Sequence, residues 1–291
     1  MDLDRMLMVA KLASRSAGEL LMEVGREERR IDYGKGGFST RSDLLSQSRI
    51  VKVLELESPE IGILSEEGIS RMERGPYWIV DPLDGTWNHS HGGVWWSVSI
   101  GLVREGRVVL GLVHAPAAER TYWCHREMEG PMMNGREVRP SESLFPGEWI
   151  VSLGAPSYMM EGFRSVEEEV SKIIPTSDPK RPVQLTTFLP GRGSMALELC
   201  SLADGRLNGV IRMGQYGWDL AAGGYIAERA GCVLSDIDGG DWKKMVEHFS
   251  SEYTASLVGA SHREGHRWLL DLVNGRVLKW ESAVISTDNR K

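Results

Sequence analysis

The stretch Trp78-Ile79-Val80-Asp81-Pro82-Leu83-Asp84-Gly85-Thr86 most constrains what this chain can become. An apolar run of strand type leads straight into two aspartates three residues apart, with a proline between them. The end of a buried strand is a poor place for two like charges, because desolvation and mutual repulsion both oppose ionisation. Such a cluster calls for cations. Hard carboxylate oxygens suit Mg²⁺, which takes few protein ligands and leaves positions for water and phosphate oxygens. Gly85 and Thr86 stand where a helix would begin, and backbone N–H groups at a helix start favour anions. Taken alone, the aspartate pair could equally cap a helix and shape a turn. Metal ligands and an anion pocket in one short loop would mean phosphoryl chemistry.

Two further segments favour the chemical reading. Ser65-Glu66-Glu67 closes the apolar run Ile61–Leu64, as Asp81 closes its own, and Trp218-Asp219-Leu220-Ala221-Ala222-Gly223 sets an acid at the first turn of a small-residue helix. The chain's 291 residues suffice for one large domain or two intimately packed ones. Its 41% hydrophobic and 26% charged residues exclude wholesale disorder, and a net charge of −7 offers no basic stripe for nucleic acid. Cys124, Cys200 and Cys232 form no CxxC pair, so neither a zinc ribbon nor a disulfide scaffold is expected, only buried small apolar side chains. The N-terminus is amphipathic rather than signal-like, and no apolar run is long enough to span a membrane. A cytoplasmic protein without membrane partners is the expectation.

Hydrophobic spacing predicts a first helix over Leu3–Val24, a polar glycine-rich loop over Tyr33–Ser42 and a second helix from Asp43 towards Leu56. Short strands follow at Ile61–Leu64 and Trp78–Val80. A hairpin is predicted from Ser97–Val103 and Val108–His114, with further strands at Thr121–Cys124 and Glu137-Val138. The second half predicts strands at Trp149–Leu153, Asn208–Arg212 and Cys232–Leu234, and helices at Val166–Ile173, Gly193–Ala203 and Trp218–Ala230. Helices and strands mix without strict alternation, which argues for layered α and β elements. The polar tail after Trp280 reads as frayed.

Together, Ser65-Glu66-Glu67, Asp81–Thr86 and Trp218–Gly223 resemble the motifs of the inositol monophosphatase family of metal-dependent, lithium-sensitive phosphatases, in the same order and over roughly residues 3–272. The resemblance implies an α+β fold, a layered αβαβα sandwich of the sugar-phosphatase type. Residues 1–145 would carry the metal loop, residues 146–272 would complete the pocket, and 273–291 would form a tail. It implies two or three Mg²⁺ ions per active site. Glu66, Asp81 and the Leu83 carbonyl would hold one, with Asp81, Asp84 and Asp219 holding another. Thr86 would position the attacking water, Asp43 would support Thr86, and Lys35 would stand near that water. A homodimer and a small phosphorylated metabolite complete the set of implied partners. His89 and His91 follow the aspartate loop, and a lining role is all they suggest.

The substrate side departs from the pattern. Besides Gly85 and Thr86, the implied substrate contacts are Trp87, where the family commonly has a second threonine, and Ser194 and Met195, where Met195 replaces a small alanine. Seven residues before Asp219, inositol-specific members carry a glutamate and this chain carries Arg212. A five-donor cation for an acceptor is not a neutral exchange. It suggests a second anionic group on the substrate, as in fructose 1,6-bisphosphate or 3′-phosphoadenosine 5′-phosphate, unless Arg212 faces solvent or meets an acid across a dimer interface. Inositol monophosphate is the family default, histidinol phosphate a further candidate, and a non-catalytic regulatory binder the rival from another class.

Overall fold

The structure, a computed structural model, describes residues 1–24, 31–34, 37–71, 75–143, 149–154, 184–187, 193–244 and 255–274. Lys35, the predicted helix Val166–Ile173 and the tail beyond residue 274 lie outside these.

Helix α1 (Leu3–Val24) buries Leu3, Met6, Leu7, Ala10, Ala13, Ala17 and Leu21, the face its periodicity predicts. The expected loop over Tyr33–Ser42 contains strands instead. β1 (Ile31–Gly34) and β2 (Gly37–Thr40) pair antiparallel with Gly34 opposite Gly37. Glycine and polar residues hide such a hairpin from a search for alternating hydrophobicity, although backbone pairing needs none. Helix α2 (Arg41–Glu57) then starts two residues before the predicted Asp43. The Asp43 carboxylate reaches back to accept from the Thr40 N–H (2.8 Å) and hydroxyl (2.5 Å), so Asp43 sits inside the first turn.

Eight strands form the first sheet: β3 (Gly62–Ser65), β4 (Ile69–Arg71), β5 (Tyr77–Asp84), β6 (Ser97–Arg104), β7 (Arg107–Ala115), β8 (Arg120–His125), β9 (Met132–Met133) and β10 (Arg136–Glu137). Their order is β10-β9-β8-β7-β6-β5-β3-β4. The predicted β6–β7 hairpin turns at Glu105-Gly106 and the β9–β10 hairpin at Asn134-Gly135, with positive φ at all four positions. A second sheet takes the order β12-β11-β13-β15-β14. It comprises β11 (Ile150–Gly154), β12 (Gln184–Thr187), β13 (Gly209–Gln215), β14 (Val233–Asp236) and β15 (Ala255–Ala260).

Helices α1 and α2 cover one face of the first sheet. α4 (Met195–Ala203) and α5 (Gly217–Ala230), which follow the short α3 (Thr86–Ser90), lie between the two sheets. α6 (Arg263–Asn274) covers the far side of the second. The fold is therefore α+β, layered αβαβα. Leu64, Ile79, Val113 and Tyr122 share one core with Met195, Leu199, Leu220 and Ile226, so both halves of the chain bury apolar surface on the same middle layer. All three cysteines are buried and free, and no described helix is long and apolar enough to cross a membrane.

Small residues set how closely that middle layer sits. Gly101 and Gly111 face each other across β6 and β7 beneath α5. A Cβ added at Gly111 would lie 2.6 Å from the Ala222 carbonyl oxygen, and one at Gly223 would lie 2.9 Å from that of Ala196 on α4. Backbone contacts of this kind cannot give way as a side chain can. Gly111→Ala should therefore destabilise the fold by about 1–3 kcal/mol, the usual cost of overpacking. A urea titration checks this, and an unchanged midpoint would contradict the close packing.

Candidate active site

The acid pair takes its geometry from strand pairing. Asp81 stands opposite Ser99 and Asp84 opposite Ser97, and the β5–β6 register slips between them. The slip falls at Pro82, which has no N–H to give a ladder. Ser46 Oγ donates to the Pro82 carbonyl at 2.6 Å, and the Leu83 N–H donates to Asp81 Oδ1 at 2.9 Å. Gly85 has φ 95°, and a Cβ there would meet the Trp95 carbonyl at 2.9 Å, so the turn into α3 requires glycine.

Glu66 follows β3, whose Ser65 pairs with Val80, and its own N–H donates to the Val80 carbonyl at 3.1 Å. That places Glu66 beside Asp81, and the two side chains share a hydrogen bond. Asp219 lies in the first turn of α5 and accepts from the Tyr216 N–H at 2.8 Å. Asp84 is gripped by the start of α4. Its Oδ2 accepts from Ser194 Oγ (2.6 Å) and the Ala196 N–H (2.8 Å), and its Oδ1 from the Met195 N–H (3.1 Å).

Glu66, Asp81, Asp84 and Asp219 line one cavity of about 320 Å³, together with Leu83, Gly85, Thr86 and Trp87. Burial pushes all four carboxyls above the usual range. Glu66 and Asp81 lie well above it, and the charges of neighbouring acids add to the effect. Asp219 rises to about 7, through burial and the Asp84 charge. Asp84 rises only to about 6, because hydrogen bonds from Ser194, Ala196 and Met195 and the charge of Arg212 offset its burial.

Among the described residues, no group of three or more His, Cys, Asp or Glu is gathered as a finished metal cage. Glu66 and Asp81 are turned to one another, and Asp84 and Asp219 to backbone N–H groups. The donor set nonetheless fits Mg²⁺. It is all oxygen, it crowds like charges in a low-dielectric wall, and it opens on a cavity with room for water and phosphate.

Thr86 Oγ lies 2.8 Å from Asp43 Oδ1 and 3.0 Å from the Leu83 carbonyl, so the expected Thr86–Asp43 pair is formed. Asp43 is buried behind Thr86, and burial raises its carboxyl despite the bonds from Thr40 and Thr86. Trp87 is 43% exposed at the rim and stacks on His91 at 4.4 Å. His89 is buried, with Nε2 2.9 Å from the Leu21 carbonyl, which gives it a structural place against α1.

Three expected substrate contacts stand behind the wall rather than on it. Ser194 and Met195 are buried beneath Asp84, and the Met195 side chain joins the middle core. Arg212 is 6% exposed. Its guanidinium donates to both carboxylate oxygens of Glu198 on α4 and to Ser152 Oγ (3.3 Å), so its acid partner lies within the same chain. Conversely, Gly193, which precedes Ser194, lines the cavity, as do Gly214, Gln215 and Tyr216, which the sequence motifs do not mark. Their nearness in sequence to Ser194 and Asp219 is the signal that could have found them.

A layered αβαβα fold with an acid-walled cavity at the ends of β3 and β5 and the start of α5 defines a class of metal-dependent phosphatases. The chain matches the inositol monophosphatase family over residues 2–276 and belongs to it. It is 32% identical over 251 residues to a fructose-1,6-bisphosphatase/inositol-1-monophosphatase of Thermotoga maritima, covering 85% of this chain and 90% of that one. Against Nus factor SuhB of Vibrio cholerae the identity is 29%, covering 81% and 86%. The solved structure of a Thermotoga maritima IMPase superposes with a TM-score of 0.79 at 27% identity, covering 95% of this chain and 99% of that one.

The raised carboxyls have a consequence for stability. A native chain whose acids bind protons more tightly than the unfolded chain loses stability as pH rises through their folded values. For the metal-free protein that loss begins at about 4, where free carboxyls titrate, and is still under way at about 7, the value of Asp219. Added Mg²⁺ should therefore raise the melting temperature more at pH 8 than at pH 5.5. Scanning calorimetry with and without EDTA reads this, and an equal shift at both pH values would contradict it.

Proposed function

We propose that this chain is a Mg²⁺-dependent phosphomonoesterase acting on a small phosphorylated metabolite, with inositol 1-monophosphate as the first candidate. The observation that carries the reading is the convergence of four carboxylates, from β3, β5 and α5, beside the Thr86–Asp43 pair on one cavity. Glu66, Asp81 and the Leu83 carbonyl would hold one ion, and Asp81, Asp84 and Asp219 a second. Bound Mg²⁺ supplies charge neutralisation for the phosphoryl group and lowers the pKa of water.

The chain's own residues then handle the proton. With its hydroxyl proton directed to Asp43 Oδ1, Thr86 Oγ presents lone pairs and accepts a hydrogen bond from the attacking water. As that water attacks phosphorus and the bond from phosphorus to the alcohol oxygen breaks, the water proton passes to Thr86 Oγ, the Thr86 proton moves onto Asp43, and the alkoxide leaves to take a proton from solvent. Asp43 is held for this by the Thr40 N–H and hydroxyl on its other oxygen. Gly85, Thr86 and Trp87 would bound the phosphate end of the substrate.

Arg212 bears on how we rank the substrate choices. Its guanidinium is matched by Glu198 inside the fold, so a second phosphate gains less from it than the sequence alone suggests. That favours a monophosphate over fructose 1,6-bisphosphate or 3′-phosphoadenosine 5′-phosphate. A binding rather than catalytic role is the rival, and what favours it is the set of relatives named Nus factor SuhB.

Phosphate release over a panel of inositol, sugar, nucleotide and histidinol phosphates, with and without Mg²⁺, tests the assignment. Turnover should require Mg²⁺ and be highest on a monophosphate. Thr86→Ala should lower kcat about 10²–10⁴-fold, with KM little changed and partial recovery in Thr86→Ser. Asp84→Asn should abolish turnover while circular dichroism stays native. Turnover that survives Asp84→Asn would remove the proposed metal site, and a panel with no turnover at all would favour the binding role.

A further inference from the structure

A second cavity, of about 670 Å³, lies at the opposite end of α5 from Asp219, between the β6–β7 hairpin and the helix's last turns. Among its described lining, five cationic side chains face three carboxylates, an excess of two positive charges in a chain of net charge −7. Two of the carboxylates are already matched. Glu105 pairs with Arg104 at 3.2 Å and Glu228 with Lys243 at 2.7 Å. Asp241 accepts from the Lys243 N–H through Oδ1 at 3.1 Å. The Arg229 guanidinium is committed to the carbonyls of Met128 and His125.

That leaves Arg107 and Arg126, whose side chains have no acid partner among the described residues. Both stand near the β6–β7 hairpin end of the first sheet. Arg104 and Arg107 are cross-strand neighbours, and the acid at the turn, Glu105, is taken by Arg104. Leu110 pairs with His125, and the Arg126 N–H donates to the Val109 carbonyl at 3.0 Å, so β8 continues alongside β7. Arg126 is thus carried beside Val109, and both it and Arg107 line the cavity. Two arginine forks lining one cavity can hold an anion between them. In the same wall Trp242, 2% exposed, has an indole N–H with no acceptor among the described residues.

We propose that this cavity binds a small phosphate-bearing anion, held by Arg107 and Arg126 and separate from the carboxylate-lined site. Tyr225 and Trp242 are both buried, so neither offers an open face for stacking a base, and the recognition is of charge.

The test is calorimetric titration of the metal-free full-length protein with inorganic pyrophosphate in EDTA and low salt. Without metal, the described lining of the other cavity offers the probe no cationic side chain. Wild type should bind one equivalent, and the Arg107→Gln/Arg126→Gln double variant should bind at least tenfold more weakly with its circular dichroism unchanged. Asp84→Asn should bind as wild type does. No binding by wild type, an unchanged Kd in the double variant, or loss of binding in Asp84→Asn would each overturn the proposal.

Discussion

The grip of α4 on the Asp84 carboxylate is the interaction on which the rest of the site depends. A single acid at the end of β5 joins the first sheet to the middle helix layer, across more than a hundred residues of sequence. Two of its three short bonds come from backbone N–H groups at a helix start, where the helix dipole also favours a negative charge. This explains how Met195 can stand where the family has a small residue. Its amide serves the carboxylate, and its side chain turns into the core. Ser194 both caps α4 and donates to Asp84, so one hydroxyl fixes the helix start and the acid together.

The second support is the depth at which α5 lies on the sheet. Asp219 is carried at the N-terminus of that helix, and the glycines and alanines beneath it let the helix approach until backbone touches backbone. Larger residues would lift the helix and move Asp219 away from Asp81. The buried Glu198–Arg212 pair ties α4 to β13, the strand that leads into Asp219. Charge is thus balanced behind the wall and left unbalanced on it, where burial and mutual repulsion raise the carboxyls.

Much of this was legible in the sequence, for identifiable reasons. Asp81, Asp84, Thr86 and Asp219 sit in short motifs at element ends, and local pattern marks where a strand stops and a helix begins. The long first helix and the β6–β7 hairpin carry strong periodic signals. β4, β12 and β15 escaped because they are only three to six residues long, and the β1–β2 hairpin because its residues are glycine-rich and polar. The partner of Arg212 escaped for another reason. Glu198 and Arg212 meet because α4 packs beside β13, and no local pattern announces that contact. Gly214, Gln215 and Tyr216 line the cavity because the chain must pass there to deliver Asp219.

The middle helix layer also has a consequence for how the chain is made. Strands β3 to β10 are complete by Glu137, yet α5, which covers most of their inner face, begins only at Gly217. At about 5–20 residues per second, the roughly 80 intervening residues take about 4–16 s to synthesise. For that interval an apolar sheet face carrying Ile79, Val113 and Tyr122 waits at the ribosome without its cover. The tight fit that positions the acids in the finished protein leaves the nascent chain dependent on whatever shields that face until α5 arrives.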